Sequence, residues 1–214
     1  MGTRHLTCVY HEGKYKVAQY GQFDGYPEGQ GVHILEFLGG GFYLPDFLAG
    51  LAKCRFARED EVEAKWREAG KPAGEEWVDG KVAAQLKKLY PALSRDTGSD
   101  ILRLVQASGE PDTDAGKVKE LLLVDNLEFA ADGLFCEWVW VIDLDNGTFG
   151  GYKGFQKEPL PEGERFAFLN GKNPKQPRED VQYQPPKLVA AWPLDALPDK
   201  DAFLKAFGRK DEEG

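Results

Sequence analysis

The segment 134–144, LFCEWVWVIDL, constrains the fold more than any other part of the chain. Its even positions form an unbroken apolar face, while its odd positions mix apolar and acidic residues. This alternation predicts a strand with one face on the core. Asn146-Gly147 follows closely, and this dipeptide is a strong signal for a tight hairpin. We therefore predict a strand pair in which Ile142 lies opposite Gly151.

A second hairpin is predicted near the start of the chain. Residues 4–10 and 15–22 have strand character and flank a two-residue turn at positions 12–13. That turn places Cys8 opposite Val17. Both faces of the pair carry apolar or small side chains, which predicts a sheet that is covered on both sides.

Helical periodicity follows the first hairpin and returns near the end of the chain. Helices are expected at 31–38, from Pro45, at 58–69, 80–90 and 99–107 and from Pro198, with further strands at 164–169 and 188–192. Because helices and strands are segregated, we predict an α+β fold of mostly antiparallel sheets covered by helices. We assign residues 1–210 to a single globular domain and residues 211–214 to a disordered acidic tail.

Charge and composition narrow the possible functions and locations. The chain has 27 basic and 36 acidic side chains and a net charge of −9, which disfavours nucleic acid and membrane surfaces as partners. No apolar run approaches the roughly 20 residues of a membrane span, and no apolar signal-peptide core precedes the first hairpin. Three widely spaced cysteines predict reduced thiols in a cytoplasmic protein.

The motifs predict neither a metal nor a cofactor. The three histidines lack metal-ligand spacing, and the chain contains no Cys-x-x-Cys. Phosphate-loop and dinucleotide-binding glycine motifs are also missing from the sequence. The sequence leaves the oligomeric state and the identity of any ligand open.

The loop at 20–31, YGQFDGYPEGQG, is the strongest candidate for function. Its four glycines and one proline demand special backbone angles and present polar groups on a rigid base. The predicted hairpin brings Thr3, Arg4, Gln22 and Asp24 to one end of the first two strands. Arg4 and Asp24 then either form an ion pair that fastens the loop, or Arg4 receives an anionic ligand.

The residues expected to contact such a ligand are Arg4, Gln22, Phe23, Tyr26 and Gly29. Phe23 and Tyr26 would form an aromatic wall, and Gly29 lies in a glycine-spaced run before a helix start, where N–H groups can face an anion. The first hypothesis is therefore a binding protein for a small anionic ligand or a protein partner. A purely structural role for these residues is the alternative.

Two stretches carry a resemblance to a known family. MGTRHL with YGQFDGYPEGQG, and also EWVWVIDLDNGTF, resemble an uncharacterised family of short fungal, bacterial and phage proteins with the pattern MGTR…YGQ(F/W)DGYP-GQG. The N-terminal motif is the more specific of the two. Membership of that family implies no particular activity.

A more distant resemblance is to N-terminal-nucleophile hydrolases of the proteasome β-subunit type. Gly2-Thr3 opens a strand, a tight turn follows, and YGQFDG closes the second strand. The resemblance implies a four-layer α/β/β/α sandwich and an amide-bond hydrolase with Thr3 as nucleophile, positioned by Asp24. Asp24 lies later than that family's acid, and segment 25–47 contains no lysine. The mechanism also needs Thr3 to gain a free amine by loss of the residues before it, so the sequence leaves open whether the chain is an enzyme.

Overall fold

The computed structural model describes residues 2–75, 77–173 and 183–208, so the predicted tail at 211–214 lies outside the described residues. The strands are β1 (His5–His11), β2 (Lys14–Gly21), β3 (Cys54–Phe56), β4 (Leu121–Leu123), β5 (Trp138–Asp143), β6 (Thr148–Lys153) and β7 (Lys187–Pro193). The α-helices are α1 (Val32–Gly40), α2 (Leu44–Leu51), α3 (Glu59–Glu68), α4 (Gly80–Leu89), α5 (Ile101–Gly109) and α6 (Lys200–Ala206). The predicted α+β class is confirmed.

Five strands form one mixed sheet in the order β2-β1-β5-β6-β7. Its neighbours are antiparallel except for β1 and β5, which run parallel. β3 and β4 form a separate parallel pair. The sheet is therefore mostly antiparallel, as predicted. Within the described ranges these two sheets do not confirm the four-layer sandwich.

Both faces of the five-stranded sheet are covered, as the first hairpin predicted. On one face, Val9, Trp140 and Phe149 pack in a core with side chains from α1, α2, α5 and α6. On the other face, Cys8 and Val141 pack against the short helical turns 127–131 and 167–169 and the chain around them. The central strand β5 is buried along its whole length because it has a core on each side.

The first hairpin forms, but its predicted register is wrong beyond the turn. A bulge between Val9 and Tyr10 shifts the pairing by one residue, so Cys8 lies opposite Ala18 rather than Val17. A bulge inserts one unpaired residue into a strand, so every residue beyond it pairs one position further along the partner strand. As a result, His5 at the far end lies opposite Gly21.

The second hairpin is also displaced from its predicted register. Ile142 pairs with Phe149 rather than Gly151, and the loop between the strands spans 144–147. The Asp143 carboxylate explains the wider turn, because it accepts hydrogen bonds from the backbone N and the side-chain amide of Asn146, each at 2.9 Å. The predicted strand at 164–169 is wrong, since this stretch contains a 3₁₀ turn instead.

No single helix among the described residues is long and apolar enough to cross a membrane. One pair, Pro27–Gly40 with Leu44–Leu51, passes by length and composition alone and bends by 118° at its break. Phe37 and Phe47 of this pair are buried in the core on the helix-covered face of the sheet. Cys8 and Cys136 are buried free thiols, and Cys54 is a partly buried one.

Gly50→Ala is expected to lower the free energy of unfolding by about 1–3 kcal/mol, as overpacking does. A Cβ on Gly50 in α2 would lie 1.8 Å from the Val105 carbonyl oxygen of α5, so the two helices need a glycine there. Urea unfolding checks this, with Gly39→Ala as the control. Gly39 is also helical but faces open space, and alanine there should stabilise by about 0.5–1 kcal/mol. Equal effects of the two changes would contradict the close approach of α2 and α5.

Candidate functional site

The first half of the 20–31 loop is pinned to the sheet by backbone contacts. Gly25 donates its N–H to the Thr3 carbonyl at 2.9 Å, and its own carbonyl accepts from the Trp140 indole Nε1 at 2.9 Å. A Cβ at Gly25 would lie 2.7 Å from the His5 Cβ. A side chain at this position would therefore displace the loop from β1.

The second half of the loop folds on itself before α1 begins. Residues Pro27–Gly31 form a π-helical turn, and Asp24 takes a positive φ of 56°. A Cβ at Gly29 would lie 2.2 Å from the Asp24 carbonyl oxygen, so glycine is required. The Gly29 N–H donates to the Tyr26 carbonyl at 3.1 Å. That N–H is used inside the turn and does not face a ligand.

Arg4 and Asp24 do not form the ion pair that the hairpin suggested. The Arg4 guanidinium lies over the Phe135 ring, 4.7 Å from its centroid, and no carboxylate of the described residues lies within 4.0 Å of it. The Asp24 carboxylate instead accepts from the Tyr26 hydroxyl at 3.3 Å. The loop is fastened by backbone contacts and glycine packing, so the charge of Arg4 stays available.

Tyr20 and Gln22 lie beside Arg4. The Tyr20 hydroxyl donates to Gln22 Oε1 at 2.6 Å, which leaves the amide N–H groups of Gln22 as donors. Burial raises the pKa of Tyr20, and the nearby charges of Arg4 and Arg95 oppose that rise. Arg95 also holds the loop through its carbonyl, which accepts from the Gln22 N–H at 3.3 Å. We call Arg4, Tyr20, Gln22, Arg95 and Phe135 the Arg4 surface.

The other residues of the predicted site lie around this surface and differ in their burial. The side chains of Phe23 and Tyr26 are exposed, at 52% and 39%. Thr3 is partly buried, and within the described part of the chain no histidine, lysine or carboxylate bonds its hydroxyl. Gly2 packs tightly, since a Cβ there would lie 2.5 Å from the Phe23 ring. The structure therefore shows no base for a Thr3 nucleophile.

A serine, a histidine and an aspartate meet where the loop touches the start of α5. Ser99 Oγ lies 3.3 Å from His33 Nδ1, and His33 Nε2 lies 3.5 Å from Asp100 Oδ1. Gln30 Oε1 accepts from the Ser99 N–H at 3.0 Å and from its hydroxyl at 2.5 Å. The Ser99 hydroxyl donates its proton to Gln30 and so does not present it to His33. This arrangement anchors the loop and is not a nucleophile–base pair.

Three polar side chains are buried on the helix-covered face beneath the loop. Both ring nitrogens of His5, Thr7 Oγ1 and Gln19 Oε1 are buried and have no hydrogen-bond partner among the residues that the structure describes. Gln19 Nε2 donates to the Ser94 carbonyl at 2.9 Å. Burial lowers the pKa of His5 to about 3, so the imidazole is neutral at ordinary pH. Sequence analysis missed this cluster because the bulge, whose unpaired residue is Lys16 of β2, decides which side chains lie opposite one another.

The remaining features of the molecule do not enlarge this site. No group of three or more histidine, cysteine or acidic side chains among the described residues is placed to hold a metal ion. Four cavities border other parts of the described chain, and no residue of the 20–31 loop lines any of the four.

Comparison of the chain with protein-family models, curated proteins and solved structures found no match. Function is therefore inferred from the geometry of the chain's own residues.

Proposed function

We propose that this protein binds a small anionic ligand at the Arg4 surface. The observation that carries the proposal is the Arg4 guanidinium, which lies on the Phe135 ring with no carboxylate of the described residues within 4.0 Å. An arginine in an acidic protein ordinarily finds a carboxylate partner. The Arg4 guanidinium also interacts with the Tyr20 hydroxyl. Its remaining N–H donors match carboxylate and phosphate oxygens.

The neighbours of Arg4 add to its affinity for an anion. Arg95 adds a second positive charge near the Tyr20 hydroxyl, and its Nε also lies 3.9 Å from Asp96 Oδ1. The Gln22 amide supplies neutral N–H donors, because its oxygen is already occupied by Tyr20. The overall charge of −9 repels anions at long range. Binding at this face therefore depends on these few local groups.

The exposed rings of Phe23 and Tyr26 favour a second candidate, a protein partner that docks on the same loop. Large aromatic side chains anchor many interfaces, and these two are far more exposed than the rings of the core. Phe23→Ala and Tyr26→Ala test it, because these changes should weaken a partner complex and leave the binding of a small anion at Arg4 nearly unchanged.

Amide hydrolysis by Thr3 has no such support. The mechanism requires loss of Met1 and Gly2 and a base beside the new amine. An intact mass that retains both residues excludes it, whereas a mass lacking both would reopen it.

Arg4→Ala is expected to weaken the binding of anionic probes ten- to a hundredfold, because charged hydrogen bonds contribute about 1.5–3 kcal/mol. Titration calorimetry with inorganic phosphate, pyrophosphate and citrate measures the effect. Raising the salt concentration should also weaken binding, since the site is open to solvent.

Arg103→Ala is the matched control for Arg4. Arg103 also lies over a phenylalanine, 5.2 Å from the Phe37 ring centroid, but on α5 and beside Asp100. Equal losses in both variants would show that binding follows overall charge rather than the Arg4 surface. Unchanged binding in Arg4→Ala would overturn the proposal.

A further inference from the structure

A cavity of about 590 Å³ lies between the two hairpin turns, on residues separate from the Arg4 surface. Its lining includes Tyr10 and Tyr15 of the first hairpin, Asp143 and Tyr152 of the second, and Glu164 and Arg165 of the segment that covers them. Asp145 joins the two turns, because its carboxylate accepts from the Glu12 and Gly13 N–H groups at 2.8 Å each. The mouth of the cavity is therefore held by fixed backbone.

Aromatic rings form much of the cavity wall. Tyr10 and Tyr15 meet edge to face with centroids 5.2 Å apart, and Tyr152 meets Phe166 in the same way at 5.2 Å. Phe168, also in the lining, is half exposed. The Arg165 guanidinium lies over the Tyr10 ring, so the half-exposed Phe168 ring is the one that offers flat apolar contact to one face of a ligand.

The charges of the cavity largely cancel. The Arg165 guanidinium donates to the buried Asp143 carboxylate, which also accepts from Asn146. Burial alone would raise the pKa of Asp143, but these hydrogen bonds outweigh it and hold the pKa below its usual value. Glu164 has no cation within 4.0 Å among the described residues. The site has no surplus positive charge for an anion.

One tyrosine hydroxyl of the lining, that of Tyr152, remains as a donor for a ligand. The Tyr152 hydroxyl accepts from Arg165 Nε at 3.1 Å and keeps its own proton. The Tyr15 hydroxyl is buried beside Arg165 without a hydrogen bond of ordinary geometry. Burial raises the pKa of both groups, so both stay protonated. Glu164 adds an acceptor to the same lining.

We propose that this cavity binds a neutral polyhydroxylated small molecule of monosaccharide size. A sugar ring presents an apolar C–H face that suits the aromatic wall and hydroxyls that suit Tyr152 and Glu164. The volume lies within the range of small-molecule sites, which is roughly 300–1,000 Å³. The pairing of Arg165 with Asp143 leaves no free positive charge in the lining for an anionic ligand.

The test is a titration of the full chain followed by NMR, with methyl glucoside, methyl galactoside, methyl mannoside and myo-inositol as probes. At least one probe should shift resonances of the cavity residues and saturate. Tyr152→Phe removes only the hydroxyl and should weaken that binding three- to tenfold, as loss of one neutral hydrogen bond does. Phe168→Ala should also weaken it by removing an aromatic contact.

Tyr90→Phe is the matched control, because the Tyr90 hydroxyl is hydrogen-bonded to Glu68 and does not line the cavity. It should bind the probes as the wild type does. Arg4→Ala should leave polyol binding unchanged, so this inference and the proposed function fail separately. The inference is overturned by absence of saturable binding in the millimolar range, by tighter binding of glucuronate or glucosamine than of neutral probes, or by equal affinities of Tyr152→Phe and wild type.

Discussion

Asp143→Ala is expected to lower the free energy of unfolding by about 3–5 kcal/mol, the cost of breaking a buried ion pair by removing one partner. The Asp143 side chain is 2% exposed and that of Arg165 is 19% exposed. Without the carboxylate, the guanidinium stays in a desolvated setting with no opposite charge. The N–H groups of Asn146 that shape the turn lose their acceptor as well.

Urea unfolding of three variants separates charge burial from general damage to the turn. Asp143→Ala with Arg165→Met removes both charges and should recover much of the lost stability, because an apolar pair can replace a buried ion pair. Asp114→Ala breaks an exposed pair with Lys117 and should change little. If Asp143→Ala were as mild as Asp114→Ala, the buried pair would contribute no more than a surface contact.

Lowering the pH should destabilise the fold through the same ion pair of Asp143 and Arg165. The pKa of Asp143 is lowered in the folded state. Its contribution is therefore complete above the usual pKa of aspartate and is lost as the pH falls through the folded pKa. In the variant that combines Asp143→Ala with Arg165→Met, the free energy of unfolding should lack this part of its fall with pH.

Local patterns predicted the elements that are determined locally. The turn at 12–13, the helices and residues 138–143 of the strand predicted at 134–144 follow from apolar periodicity, turn residues and prolines, which act over a few neighbours. The second hairpin was also predicted, but its turn is wider than Asn146-Gly147 alone indicates. The covering of both sheet faces followed from the apolar side chains on each side of β1 and β2. These features confirm the α+β class.

Register and strand order depend on contacts between distant residues. The bulge at Val9 and Tyr10 has no turn residue to mark it, yet it puts His5 opposite Gly21. The parallel pairing of β1 with β5 joins segments more than a hundred residues apart. Neither pairing can be predicted from a short stretch of neighbouring residues.

The same limit explains what was missed at the candidate site. Arg4 was identified beside the loop, but Phe135 and Arg95, which determine its surroundings, come from remote segments. The expected partner Asp24 was chosen because it is near in the hairpin. The observed loop is fastened by Gly25 and Gln30 instead, through backbone and amide contacts. Composition alone does not show whether such polar groups bond within the protein or face solvent.

His5 is expected to make the fold lose stability steadily as the pH falls below about 6.5, the usual pKa of histidine. In the folded chain burial lowers the pKa of His5 to about 3. Between these two pKa values, the unfolded chain therefore binds a proton at His5 and the folded chain does not. The stability is complete above the unfolded pKa and declines by about 1.4 kcal/mol per pH unit until the folded pKa is reached.

Urea unfolding between pH 6.5 and 4.5 isolates this effect, because the aspartates and glutamates titrate mainly below that window. His5→Gln removes the titration and should flatten the slope of stability against pH. A slope in His5→Gln equal to that of the wild type would show that His5 does not cause the pH dependence.

Protonation of His5 should also release the loop before the whole chain unfolds. Gly25 packs directly on His5 and holds the loop to β1 and to Trp140. A proton on the buried ring favours exposure of that ring, and the packed glycine must move away for this to happen. Amide hydrogen exchange at Gly25, corrected for the intrinsic pH dependence, should therefore lose protection between pH 6.5 and 4.5 in the wild type and not in His5→Gln. Equal protection in the two proteins would mean that His5 does not control the loop.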